Sequence, residues 1–120
     1  MIFVGTDIVD IYRIRKIINE KGERFISRIY DDIEISYCSS QLDPSVHYAG
    51  RFSAKEAIKK ALLSSGIFNS IQLKNIVIQR NQMGAPKVIL PVEILDKGSI
   101  SVSISHSNTS ATATAIFETC

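Results

Sequence analysis

The stretch from Pro44 to Ser64 or Ser65 constrains this chain more than any other. Proline suits a first helical turn, and Gly66 stands where a helix ends. Between them Tyr48, Ala49, Phe52, Ile58, Ala61 and Leu62 recur at three- and four-residue spacing. That period predicts a long central helix with one face on a core. Glu56 and Lys60 are four apart, neighbours on one flank. On spacing alone they are a solvated ion pair of the kind most surface helices carry. Two residues outside the helix favour another use: a carboxylate in the first strand-like run and a histidine at the end of a late one.

The first run, Ile2 to Val9, is short and rich in β-branched residues, as a buried strand is. Asp7 interrupts it. A carboxylate there is costly to bury without a partner. Either it sits at a strand end or caps the next helix, or a cation lies against it. Asp10 is the expected N-cap for a helix from Ile11 to about Lys21, stopped at Gly22. A second short helix is expected over Glu23 to Tyr30, and a further helical turn from Asp31 or Asp32 through Tyr37. Arg13, Arg24 and Arg28 lie off the apolar stripes and can form a basic ridge. Such ridges are mostly solvated, but arginines can also recognise an acidic partner.

After Gly66 the period changes. Leu73 to Arg80 reads as a strand, Asn81 to Pro86 as a turn, and Lys87 to Leu90 as the second arm of a hairpin. Val92 to Leu95 fits strand or helix. Ser99 to Ser105 alternates serine with Ile, Val and Ile, and Ser110 to Glu118 is a last strand. A strand, then helices, then antiparallel strands is an α+β plan, with helices on one face of a mainly antiparallel sheet.

At 120 residues, residues 1–120 are expected to make a single domain. A net charge of +2 is too small to imply nucleic acid or an anionic membrane. Cys38 and Cys120 lack metal-ligand spacing and suit a reducing compartment. With no secretory signal or membrane-length apolar run, the expected location is cytoplasmic.

Three blocks carry a family resemblance. They are Val4-Gly5-Thr6-Asp7-Ile8-Val9-Asp10-Ile11 with Arg13, then Ala49 to Ala57 (Ala-Gly-Arg-Phe-Ser-Ala-Lys-Glu-Ala) with Lys60-Ala61, then Val102 to Ser107 (Val-Ser-Ile-Ser-His-Ser). In order, spacing and total length the chain resembles the holo-acyl-carrier-protein synthases, the small type of 4'-phosphopantetheinyl transferase. The resemblance implies that fold and a role in fatty acid and lipid biosynthesis. It implies an enzyme that moves 4'-phosphopantetheine from coenzyme A to a serine of apo-acyl carrier protein, releasing adenosine 3',5'-bisphosphate.

By the same resemblance Asp7 and Glu56 are the ligands of a Mg²⁺ ion, a hard cation that takes carboxylates, phosphate oxygens and waters. Asp7, Glu56, Lys60 and His106 are then the catalytic set. Arg51, Lys60, His106 and, more loosely, Ser105 bind the coenzyme. Arg13, Arg24 and Arg28 fall on positions that dock the acidic carrier. The family is usually a homotrimer, with His106 and Arg51 acting across an interface from Asp7 and Glu56. The proton acceptor stays open between Glu56 and water on the metal. Val9 stands where some larger relatives have a third ligand. Ser64-Ser65-Gly66 replaces a Gly-Thr-Gly turn, and Gly84-Ala85-Pro86 loses the basic residue common at that hairpin tip. Two other readings remain: a transferase for a specialised polyketide or peptide carrier, and a non-catalytic binding module for an acidic protein.

Overall fold

The computed structural model describes all residues from Met1 to Cys120. Strand β1 (Ile2–Asp10) is followed by helices α1 (Ile11–Lys21), α2 (Glu23–Ile29), α3 (Asp32–Ser39) and α4 (Pro44–Ser64). Then come a 3-10 turn (Leu73–Asn75), strands β2 (Val77–Arg80) and β3 (Pro86–Ile89), helix α5 (Val92–Leu95), and strands β4 (Gly98–His106) and β5 (Ser110–Thr119). The main sheet has the order β1-β5-β4 and is antiparallel throughout; β2 and β3 form a separate hairpin. The expected α+β architecture with its long central helix is the one observed. None of the helices is long and apolar enough to cross a membrane.

The helix ends follow from local chemistry. The Asp10 side chain accepts from the Tyr12 amide and starts α1, and Gly22 at φ 52° ends it. Asp31 and Glu34 form a reciprocal capping box at the start of α3. Pro44 opens α4 in its first turn.

Small residues let α4 lie close against the sheet. Ala54, Ala57, Ile58, Ala61 and Leu62 pack with Ala113, Ala115 and Phe117 of β5 in one core cluster. A Cβ on Gly5 would overlap the Ala57 carbonyl oxygen and stand 2.6 Å from the Ala61 nitrogen, so β1 runs directly over the helix backbone. A second cluster joins Val9, Ile11, Ile14, Tyr30, Cys38 and Tyr48 beneath α1–α3.

One expectation changes, and one open reading is decided. The run Leu73 to Arg80 is not all strand; its first half is a 3-10 turn. The carbonyls of Leu73 and Ile76 accept from the buried Lys55 ammonium at 3.0 and 2.6 Å, which draws this backbone out of ladder geometry. Val92–Leu95, which fitted strand or helix, is a short helix.

Candidate active site

Asp7 lies in β1 with its side chain 15 % exposed. Lys60 Nζ donates to Asp7 Oδ1 at 3.2 Å and to the Thr6 carbonyl at 2.9 Å. Ser53 Oγ and Thr112 Oγ1 donate to the Asp7 carbonyl at 3.0 and 2.8 Å. Asp7 therefore neither caps α1 nor stands free in water. The strand that carries it is fixed from α4 on one side and β5 on the other.

Glu56 lies between Ser53 and Lys60, three residues past one and four before the other. At 3.6 residues per turn all three project within about 60° of one another. Ser53 and Lys60 both reach Asp7, so Glu56 is on the flank that Asp7 faces. Its carboxylate makes no hydrogen bond or ion pair, and the Glu56–Lys60 pair that the spacing allows is not formed. The lysine has turned to the strand instead.

These two carboxylates fit a hard divalent cation. No cluster of three or more His, Cys, Asp or Glu residues occurs in the chain, so the protein alone builds no complete metal cage. Two carboxylates with open coordination positions form the donor set Mg²⁺ uses when phosphates and waters supply the rest. Lys60 at Asp7 shows that a positive charge is already accommodated there. An open cleft of about 520 Å³ lies beside Asp7, Lys60 and Thr112.

Arg51 and His106 line a different cleft, of about 360 Å³, with Tyr37, His47 and Arg80. On the helix wheel Arg51 points roughly 160–180° away from Ser53 and Lys60. His106 ends β4, and β5 separates β4 from β1. Within one chain, then, the site residues fall into two groups on opposite flanks of α4. Arg51 is 7 % exposed, its Nε has no hydrogen-bond partner, and its guanidinium carbon is 4.3 Å from the centre of the Tyr37 ring. His106 is exposed, with Nδ1 3.3 Å from the Ser107 carbonyl. Burial lowers the pKa of His47, and the charges of Arg51, His106 and Arg80 lower it further. Ser105 precedes His106 in an alternating strand and faces the other side of the sheet, outside this cleft.

Arg13, Arg24 and Arg28 are exposed and form no ion pair, whereas Arg15 pairs with Asp43 at 2.9 Å. Lys21, Arg24 and Arg28 rim a groove floored by Ile17 and Phe25. Arg13, Ile17 and Lys21 follow at four-residue steps, so Arg13 extends the same ridge by one turn.

Lys55 and Glu34, which no site motif marks, are both fully buried and 2.6 Å apart. Glu34 also accepts from the amides of Asp31 and Ile78 at 2.9 and 3.0 Å. The network ties α3 and α4 to β2 and the turn before it. The capping pattern Asp31-x-x-Glu34 was the one sequence signal for it.

The family model described as 4'-phosphopantetheinyl transferase superfamily matches residues 3–116. The chain is 43% identical over 119 residues to a holo-[acyl-carrier-protein] synthase of Chlamydia pneumoniae, covering 97% of this chain and 96% of that one. Its fold is similar to the crystal structure of the Neisseria meningitidis holo-[acyl-carrier-protein] synthase, with a TM-score of 0.85 and 30% identity over 98% of this chain and 99% of that one. The Helicobacter pylori enzyme of the same name, solved in complex with coenzyme A, gives a TM-score of 0.82 and 32% identity over 96% and 99% of the two chains.

Proposed function

This chain belongs to the 4'-phosphopantetheinyl transferase superfamily, and from that premise we infer that it carries out the reaction of its holo-acyl-carrier-protein synthase relatives. It is an enzyme that transfers 4'-phosphopantetheine from coenzyme A to a serine of apo-acyl carrier protein. Adenosine 3',5'-bisphosphate leaves.

The observation that carries the residue assignment is the meeting of Asp7 and Lys60 on the flank of α4 that bears an unengaged Glu56. Asp7 and Glu56 would hold Mg²⁺. When bound, that ion supplies Lewis-acid neutralisation of charge growing on the pyrophosphate. Lys60 adds a second positive charge on the same flank and can swing from Asp7 onto a phosphate oxygen, a point charge on a flexible stem. Glu56 has two carboxylate oxygens and no protein partner. One can face a cation while the other accepts the proton of the carrier serine as its oxygen attacks phosphorus. Arg51 and His106 bind the coenzyme at a distance from the broken bond. Arg13, Arg24 and Arg28 present charge to the acidic carrier.

Three copies of the chain complete the site in this reading. Two features support it: Arg51 and His106 stand on the far flank of α4 from Asp7 and Glu56, and the outer face of the main sheet is open. Ile2, Val4, Ile8 and Ile116 are 59, 54, 70 and 40 % exposed on that face. Between them lie serines and threonines of β4 and β5, with no charge at the centre.

The test is a loading assay. Apo-carrier, coenzyme A and Mg²⁺ are incubated with the enzyme, and the carrier is weighed by mass spectrometry. We expect a gain of one phosphopantetheine, none after chelation, and recovery when Mg²⁺ returns. Asp7→Asn and Glu56→Gln should each slow loading by about a hundredfold or more. No mass gain with the wild-type enzyme rejects the function. Undiminished loading by both variants rejects the metal assignment alone.

A further inference from the structure

Tyr37 stands between two arginines. Arg51 lies over its ring at 4.3 Å, and Arg80 Nη1 donates to its hydroxyl at 2.7 Å. The Arg80 guanidinium carbon is itself 5.5 Å from the ring centre. Tyr37 also meets His47 edge-on at 5.6 Å. One aromatic side chain thus fixes the direction of two guanidinium groups by cation–π attraction and a charge-assisted hydrogen bond.

Arg80 is held from its other side by the hairpin. Its Nε is 3.4 Å from the Gly84 carbonyl. Gly84 has φ +84°, and a Cβ there would stand 2.9 Å from Arg80 Nη2. The turn glycine leaves room for the guanidinium to fold back beneath the tip. That tip carries Ala85, so no basic side chain projects from it, and Arg80 brings the charge to the hairpin's base instead.

No Asp or Glu lines the cleft shared by Arg51, Arg80, His47 and His106. Arg51 Nε is buried there without an acceptor. A buried donor left unmade is costly, and two guanidiniums sharing a cleft with no carboxylate repel each other. A doubly charged anion with three terminal oxygens in the cleft removes that repulsion. A phosphomonoester has that form; a bridging diphosphate has its charge spread along a chain. Coenzyme A contains one phosphomonoester, the 3'-phosphate, while its diphosphate carries the bond that reacts.

We propose that Arg80 is a specificity-determining residue that contacts the 3'-phosphate of coenzyme A, and that Tyr37 is the positioning residue that aims Arg80 and Arg51 at it. This rests on the transferase reading above and on the assignment of Arg51 to the coenzyme. It adds two residues from α3 and β2 that no motif pointed to. It explains how the chain dispenses with a basic group at the hairpin tip.

The test compares coenzyme A with 3'-dephospho-coenzyme A in the loading assay. Arg80→Met keeps the aliphatic stem and removes the charge. It should raise KM for coenzyme A by roughly ten- to a hundredfold with kcat unchanged. KM for the dephospho form should move less than about twofold. Tyr37→Leu should behave like Arg80→Met, and Arg80→Lys should recover part of the loss. Calorimetric titration with adenosine 3',5'-bisphosphate and with 5'-AMP gives a readout independent of turnover. Arg80→Met should weaken the first ligand and leave the second unchanged. Equal loss for both substrates, or loss in kcat rather than KM, overturns the proposal. If the wild-type enzyme loads no carrier but still prefers the bisphosphate through Arg80, the transferase reading fails and the phosphate subsite stands.

Discussion

Cys38, Tyr30, Lys55 and Glu34 show how much polar chemistry this small core holds. All four have essentially no exposed surface. Burial holds the Cys38 thiol up at about 11 from an ordinary 9.0, and burial likewise raises Tyr30 well above the usual phenol value. Lys55 is shifted the other way, lowered by burial and partly restored by Glu34. The signs give opposite pH dependences. A thiol that keeps its proton when folded stabilises the native state below the unfolded value, and that stability is lost as pH rises from about 9 to about 11. The two-unit window corresponds to at most about 3 kcal/mol. Tyr30 adds to the fall above 10, while raising the pH relieves the penalty on charged Lys55. Comparing wild type with Cys38→Ala isolates the thiol. In urea unfolding series from pH 8 to 11, wild-type stability should drop more steeply than that of the variant. Parallel curves defeat the assignment. A chromogenic thiol reagent at pH 8 should meanwhile titrate one thiol, the exposed Cys120, in the native protein and two in denaturant.

At the scale of elements, α4 is a ruler with a different task on each side. Gly5 sets how closely β1 approaches it, and hence where Asp7 meets Lys60. Gly5→Ala must push strand and helix apart. Overpacking of this kind costs about 1–3 kcal/mol, and here it also moves a carboxylate off its partner. We expect a lower unfolding midpoint together with loading activity reduced well beyond the fraction unfolded at assay temperature. A fully active, merely less stable Gly5→Ala protein shows that the β1–α4 spacing is structural only.

The same elements show what the sequence made legible. Asp10, Gly22, Asp31 and Pro44 fix helix ends through bonds within a few residues, so α1, α3 and α4 could be placed from local pattern. The alternation of β4 is equally local. The turn at Leu73–Asn75 could not be read, because the carbonyls of Leu73 and the following Ile76 are bonded by Lys55, 18 and 21 residues away in the chain. Lys55 stands beside Glu56 with nothing local to mark it as buried; its partner Glu34 comes from α3. Tyr37 gave no signal for the same reason, since its partners Arg51 and Arg80 come from two other elements. Asp7 and Glu56 were found through the resemblance, and the contacts of Ser53 and Lys60 supply the physical reason they share a flank.

For the molecule as a whole, α4 turns Arg51 about 180° away from Lys60, so the proposed site residues fall into two groups that one chain does not bring together. In the reading proposed above, a ring of copies brings the Asp7 group of one protomer to the Arg51–His106 group of its neighbour. The arrangement can be tested by complementation. Asp7→Ala damages one half, and Arg51→Ala with His106→Ala damages the other; each protein alone should load carrier at a small fraction of the wild-type rate. Unfolding and refolding the two together at equal concentration gives mixed assemblies. In a closed trimer with random mixing, a site is intact when its first half comes from one variant and its second half from the other, which occurs for about a quarter of sites. Activity should therefore rise to about a quarter of wild type on mixing, and light scattering should report a mass of three chains. Placing a charge on the open sheet face with Ile8→Glu should lower that mass and the activity together. If mixing restores nothing while both parent proteins remain folded trimers, each site is built within a single chain and the split across α4 has another meaning.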